Sequence, residues 1–324
     1  MKLRFFDLLA VLFGLTAASI DAAELRSPML AGQRAAVFTL SALDSANGKV
    51  KIGSAVLIAP GTLLTTCHVT READSIQIHC GDARLPAKPH FVDIEHDLCV
   101  LSAPDLRGSV PAEVAISGEL SIGDEVFAVG YPRSGNLAVS KGKLIALHRY
   151  GGIRILQVSA PFDYGQSGGA LFDRRGRLIG ITAFKTVSGG DFHFALAFEG
   201  INEGVLTRQA AVPDSAKPKT AFWERASYAQ PLFLRAASLE ADRDWHALLG
   251  VAREWTAADA TNSASWLALS RALSRLKREG DAAVALLRAT ALDASLTHLA
   301  ILAIPENQDG PSPLPGLETA ASRR

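Results

Sequence analysis

Between about Ala35 and Leu206 the chain is written in short apolar runs, each cut off by glycine after a few residues, and this punctuation leaves few folds open. Gly53-Ser-Ala-Val-Leu-Ile-Ala, Glu125-Val-Phe-Ala-Val-Gly and Arg177-Leu-Ile-Gly-Ile-Thr-Ala-Phe are examples. β-Branched runs of this length, bounded by turn residues, predict strands of an antiparallel sandwich or barrel. The pattern stops near residue 210. Ala211 to Thr220 is polar and carries Pro213, Asp214 and Pro218, so a linker is expected over residues 211–226. With 324 residues there is room for a second domain beyond it.

That second part has a helical texture. Trp266, Leu269, Leu273 and Leu276 recur at three- and four-residue steps, Gly280-Asp281 interrupts them, and Ala282, Leu286 and Ala289 mark another helix. The pair resembles one tetratricopeptide repeat with Ser270 as its small residue, although Ala294 stands where that family has a closing proline. A weaker copy precedes it: Asp244-Trp245 and Ala252 lie 37 residues before Asp281-Ala282 and Ala289, against the usual period of 34. The competing reading is a pair of ordinary amphipathic hairpins in which Trp245, Trp255 and Trp266 are core. The helical segment is expected over residues 227–303. Stacked repeats need about three units to bury their faces, so two are expected to lean on the first domain. Residues 304–324, with four prolines, are expected as a loose tail.

The first two dozen residues read as an address. Lys2 and Arg4 precede an apolar stretch from Leu8 to Ile20, with small residues at Ala17, Ala18, Ala22 and Ala23. This is the pattern of a secretory signal peptide over residues 1–23, too short for the roughly 20 residues of a bilayer span. Asp7 leaves an uncleaved anchor as the alternative. An exported chain, periplasmic or secreted, is expected, with no membrane span after cleavage. Lys plus Arg and Asp plus Glu are 33 each, so no basic field exists to hold nucleic acid. Apolar residues at 48% and charged residues at 20% exclude disorder throughout.

Export changes how the cysteines read. In an oxidising compartment Cys67, Cys80 and Cys99 can supply one disulfide and one leftover thiol. Their spacing is not that of a zinc site, and no metal or organic cofactor is suggested. Spacing alone does not choose the pair.

The residues that can carry chemistry lie in the first part. Gly165-Gln-Ser-Gly-Gly-Ala-Leu sets a serine between glycines just before a strand-like run. Glycine lets the backbone bend tightly and approach a substrate carbonyl, and two N–H groups of such a turn can point at one oxygen. A serine hydroxyl needs a base, and the base needs an acid that fixes its tautomer. His68, in Leu63-Leu-Thr-Thr-Cys-His-Val, and Asp97, in Glu95-His-Asp-Leu-Cys-Val-Leu, have suitable surroundings at strand ends. His96 is the competing base; the remaining histidines read as surface or satisfied core residues, with His193 also a candidate for the pocket lining.

The order His68, Asp97, Ser167 is that of chymotrypsin-fold serine proteases. Ser54-Ala-Val-Leu-Ile-Ala-Pro-Gly-Thr-Leu-Leu-Thr-Thr-Cys-His-Val, His96-Asp-Leu-Cys-Val-Leu, Ile122-Gly-Asp-Glu-Val-Phe-Ala-Val-Gly-Tyr-Pro, Gly165-Gln-Ser-Gly-Gly-Ala-Leu-Phe-Asp and the later Phe194-Ala-Leu-Ala resemble, in order, the motifs of the bacterial Deg/HtrA-type branch of that fold. The resemblance covers roughly residues 35–205 within an expected protease domain of 24–210. It implies a mainly β fold, two antiparallel six-stranded barrels of chymotrypsin type, followed here by the small helical repeat-like domain. It also implies His68 as general base, Asp97 as its orienting acid, Ser167 as nucleophile, and the N–H groups of Gly165 and Ser167 as oxyanion hole.

By the same resemblance Pro161 falls at the floor of the specificity pocket, with Ala183, Lys185, Phe194 and Ala195 on its walls. No acidic residue stands there to select Lys or Arg, so a small or medium apolar side chain is expected. If His68 and Asp97 meet, Cys67 and Cys99 come onto neighbouring strands within disulfide reach, with Cys67–Cys80 as the rival pair. Two departures matter. Gln166 stands before the serine where the branch usually has Asn, which leaves the resting shape of the oxyanion loop open, and helices take the place of a PDZ-like domain. The function expected is an exported serine endopeptidase acting on proteins or peptides, its helices docking a partner or substrate. The alternatives are a catalytically silent protease-fold binding protein and a serine esterase.

Overall fold

A computed structural model describes residue 32 and residues 34–115, 120–186, 192–198 and 220–296. The expected signal peptide and tail lie outside the described residues. Among these, twelve strands close into two antiparallel barrels of six. The first contains β1 (Val37–Asp44), β2 (Lys49–Ala59), β3 (Thr62–Thr66), β4 (Ser75–Cys80), β5 (Ala83–Asp93) and β6 (Leu98–Ser102), paired in the order β1-β2-β3-β6-β5-β4. The second contains β7 (Glu125–Gly130), β8 (Ala138–Tyr150), β9 (Ile153–Val158), β10 (Ala170–Asp173), β11 (Leu178–Lys185) and β12 (His193–Ala197), with the same winding.

Where a strand is apolar on both faces, both faces are covered. In β2, Ala55 and Leu57 fill the first barrel, while Val56 between them joins a separate cluster that runs between the barrels. β9 repeats this: Leu156 and Val158 point into the second barrel and Ile155 points out. Side chains alternate along a strand, so a continuous apolar run has two cores to serve.

The helices are α1 (Cys67–Thr70), a single turn after β3, and then α2 (Leu232–Ala241), α3 (Trp245–Ala258), α4 (Ser263–Arg275) and α5 (Glu279–Leu292). Asp244 caps α3 by accepting from the Ala247 N–H, and Asn262 caps α4 through the Ala264 N–H. α2 and α4 end alike, in a left-handed residue: Arg243 at φ 58° and Lys277 at φ 64°. These ends lie 34 residues apart, not the 37 of the sequence alignment, because the helix break falls at Lys277 and Gly280 sits inside the first turn of α5.

Three of these helices, α2, α3 and α4, share the cluster between the barrels. Phe233 and Leu234 of α2, Leu248 and Trp255 of α3 and Ala268 of α4 are continuous with Phe194, Ile155 and Ala146 of the second barrel. His148 is buried in this seam, stacked on Phe233 with ring centres 4.4 Å apart.

The described end of the expected linker is packed against the barrels. Phe222 is fully enclosed, its ring stacked on Tyr150 at 4.5 Å, and its N–H donates to the Glu95 carbonyl (3.0 Å). Residues 221–230 therefore form a strap, running from beside β6 to the start of α2.

Candidate active site

β3 and β6 are neighbours, with Thr65 opposite Cys99 and Thr66 opposite Leu98. This pairing brings the residues at their ends together. Cys67 and Cys99 have Cα atoms 5.1 Å apart and sulfurs at bonding distance, while Cys80 is free. His68, the next residue, donates its backbone N–H to Asp97 Oδ1 (2.7 Å) and holds Oδ2 with Nδ1 (2.7 Å). A carboxylate only accepts, so Nδ1 carries a proton, and in the neutral imidazole the lone pair falls on Nε2. Asp97 is fully buried at φ 60°, a left-handed conformation that Asp tolerates better than most residues.

Ser167 arrives from the second barrel. Its carbonyl accepts the Ser54 N–H (2.8 Å), and the space a Cβ would take at Gly53 is bounded by the Val69 side chain at 2.8 Å and the Ser167 carbonyl at 3.2 Å. Gly53 thus lets the serine loop close on the turn that bears His68. The Ser167 hydroxyl donates to the Ala183 carbonyl (3.2 Å).

The loop before the serine is held from several sides. Gly165 has φ 95°, and a Cβ there would lie 2.7 Å from the Arg133 nitrogen, so only glycine fits. Gln166 is buried; its Oε1 accepts the Asp163 N–H (2.9 Å) and its carbonyl accepts from Thr182 Oγ1 (2.5 Å) and the Gly169 N–H (2.9 Å). Ser54 Oγ donates to the Gly165 carbonyl and accepts from the Tyr131 N–H, both at 2.9 Å. Among the described residues, no hydrogen bond uses the N–H of Gly165 or Ser167.

The residues expected around a pocket do not all share one surface. Pro161 is half-buried, with its carbonyl bound by Ser140 Oγ. Lys185 reaches Asp163 (2.9 Å) and lies over the Tyr164 ring; that ion pair holds the exposed Asp163 carboxyl below its usual range. Ala183 and Ala195 are enclosed, and Phe194 is packed on Phe184 (4.9 Å) and turned toward Phe233 (6.2 Å) in the seam. His193 is buried against Phe162 (4.8 Å).

His96 is occupied elsewhere. Its Nδ1 pairs with Asp93 (2.7 Å), which raises the imidazole pKa, and its Nε2 is buried against Gly151. Two neighbours of the site carry no role in the sequence reading. Ser54 appears there only as part of a motif, and Trp223 falls within the linker. Trp223 donates its indole N–H to Asp97 Oδ2 (3.1 Å), meets the His68 ring edge-on at 5.3 Å and stacks on Phe184 at 5.0 Å. The available signal was two adjacent aromatics, Phe222 and Trp223, in otherwise polar surroundings.

Comparison with known proteins gives the arrangement its kin. Residues 53–181 match the family model of the trypsin-like peptidase domain. The serine protease Rv3671c of Mycobacterium tuberculosis H37Rv is 25% identical over 190 residues, 55% of this chain and 47% of that protein. The periplasmic pH-dependent serine endoprotease DegQ of Escherichia coli K12 is 32% identical over 167 residues, 49% of this chain and 37% of the relative. The chain thus spans less than half the length of either relative. The crystal structure of the Rv3671c protease in its active form superposes with a TM-score of 0.54 over 63% of this chain and 92% of that one, at 23% identity, a likeness of fold.

Proposed function

We propose, on the premise that this chain carries a trypsin-like peptidase domain homologous to the HtrA-type serine proteases, that it is a serine endopeptidase in which His68, Asp97 and Ser167 form the catalytic unit. The observation that carries the proposal is the His68 Nδ1–Asp97 Oδ2 bond at 2.7 Å, which selects the tautomer whose neutral form offers Nε2 as the base, on the turn that meets the Ser167 loop. In the reaction Ser167 Oγ turns from the Ala183 carbonyl to His68 Nε2, gives up its proton and bonds to the substrate carbonyl carbon. The N–H groups of Gly165 and Ser167 receive the oxygen that becomes negative. His68 returns the proton to the departing amine, and water repeats the sequence on the acyl-enzyme. Gln166 supports an open hole at rest, since its side chain closes the turn from Asp163 and both N–H groups stay uncommitted.

The same reading takes Cys67–Cys99 as a disulfide formed after export, following residues 1–23 as signal peptide, and places the protein in the periplasm or outside the cell. Proteins or peptides are the substrates, a small or medium apolar side chain is preferred, and the helices α2–α5 serve as the docking module, repeat-like in their 34-residue period. The test is labelling of the purified chain with a fluorophosphonate from pH 5 to 9. Labelling that follows a histidine titration and disappears in Ser167→Ala is expected. A folded protein that never labels would overturn the assignment and leave binding through the helices as the function. Turnover of an ester without turnover of peptides would make it an esterase.

A further inference from the structure

We propose that Trp223 is a positioning residue of this reaction: the strap that leads into the helices brings its indole N–H to Asp97 and so completes the site. The inference rests on the catalytic reading above. Asp97 is fully buried, and its carboxylate draws three N–H donors, two from His68 and the third, on the oxygen that holds the imidazole, from Trp223. A buried carboxylate needs such donors to stay charged and in place. Removing the indole N–H would leave Oδ2 held by His68 alone.

The strap is fastened to the same two loops that present the histidine and the acid. Glu224 forms a bidentate pair with Arg71, three residues after His68. Burial pushes the Glu224 carboxyl up, but Arg71 and the Ala221 N–H outweigh it and hold the group below its usual range. On the other side, Arg225 binds Glu95 and the Tyr150 hydroxyl (2.9 Å), and the Phe222 N–H binds the Glu95 carbonyl, two residues before Asp97. Gln230 ties off the turn by donating to the carbonyls of Trp223 (2.8 Å) and Arg225 (2.9 Å). A ring present only for packing would not need fixing to both loops. Trp223 therefore links the seating of α2 to the alignment of His68.

The experiment measures the rate of fluorophosphonate labelling against pH for the full chain, for Trp223→Phe, and for a protein with β-(3-benzothienyl)alanine at position 223. The last keeps the indole shape with sulfur in place of N–H. With one donor gone, Asp97 is held less firmly and its charge is less compensated, so the imidazolium is stabilised. The plateau rate is expected to fall about tenfold and the titration midpoint to rise, with the benzothienyl protein still folded and unfolding only a few degrees below the wild type. An unchanged plateau and midpoint in that protein, beside a wild type that labels normally, would refute the role of Trp223 alone. A wild type that does not label refutes the catalytic reading, and this inference with it.

Discussion

Replacing His148 by phenylalanine should make the protein less sensitive to acid. His148 projects from β8 and is buried against α2, bonded through Nε2 to Gln157 Oε1 (2.9 Å), stacked on Phe233 and 5.8 Å from Trp255, while its Nδ1 has no partner. An adjoining cavity of about 30 Å³ has room for one water and is bordered by the Glu240–Arg271 ion pair (3.2 Å). Burial lowers the imidazole pKa from 6.5 to about 4, against the smaller opposing effect of Gln157. The unfolded chain then binds a proton near pH 6.5 that the folded chain refuses until about pH 4. Stability from this site is complete above pH 6.5 and is lost as pH falls through that window. Over the whole window the loss is about 3 kcal/mol, and between pH 7.5 and 5 about 2 kcal/mol. Phenylalanine keeps the stack on Phe233 but abandons the Gln157 bond, so the variant starts lower by about 1 kcal/mol. The quantity to compare is the slope. Urea unfolding followed by tryptophan fluorescence at pH 7.5, 6 and 5 should show the wild type losing about 2 kcal/mol more than the variant. Carboxylates with lowered pKa, such as Asp93 and Glu224, lose their share in both proteins and cancel, as does His96, whose raised pKa acts with the opposite sign. Parallel stability curves would refute the reasoning.

Ser54→Ala removes the hydroxyl that joins the Gly165 carbonyl to the Tyr131 N–H; thermal unfolding should report a loss of about 1–3 kcal/mol, and labelling of Ser167 should slow as the loop loosens. Gly168→Ala should be worse, because φ is 83° and the new Cβ would fall inside contact distance of the Ser54 carbonyl and Thr65 Oγ1; folded yield and labelling should both drop. Opening the Cys67–Cys99 link, which spans 32 residues, should cost about 3–4 kcal/mol, read as a lower unfolding temperature in Cys99→Ala.

An antiparallel β architecture was legible where a strand carries its signal locally, a short β-branched run ended by a turn, as in Gly53–Ala59 or Glu125–Gly130, and its division into two barrels came from the family resemblance. The meeting of His68 and Asp97 was legible for a related reason, since motifs in a fixed order imply a fold and the fold implies the meeting. What depends on long-range packing was not. The resemblance puts Phe194 on a pocket wall, and no local pattern reveals that its ring also faces the seam, where Phe233 lies 39 residues later. The strap has no period, and its partners Arg71, Glu95 and Tyr150 lie 75 or more residues upstream, so it read as the end of the linker that Pro213 and Pro218 announce. The helix break was misplaced because glycine is the usual left-handed residue and Lys277 took that conformation instead.

The seam also sets an order of events when the chain is made. Synthesis runs from the amino terminus, so β12 and with it both barrels can close once Ala197 has emerged. Phe184 and Phe194 then stand at the edge of the second barrel without Phe222, Trp223 and Phe233, the rings that cover them. The cover follows only when Phe222, Trp223 and Phe233 have emerged as well. During that interval the nascent barrels present a sticky aromatic ledge, and the Asp97 carboxylate lacks its indole donor. A shortened chain ending near residue 210 would be caught permanently in that state, prone to self-association through the ledge.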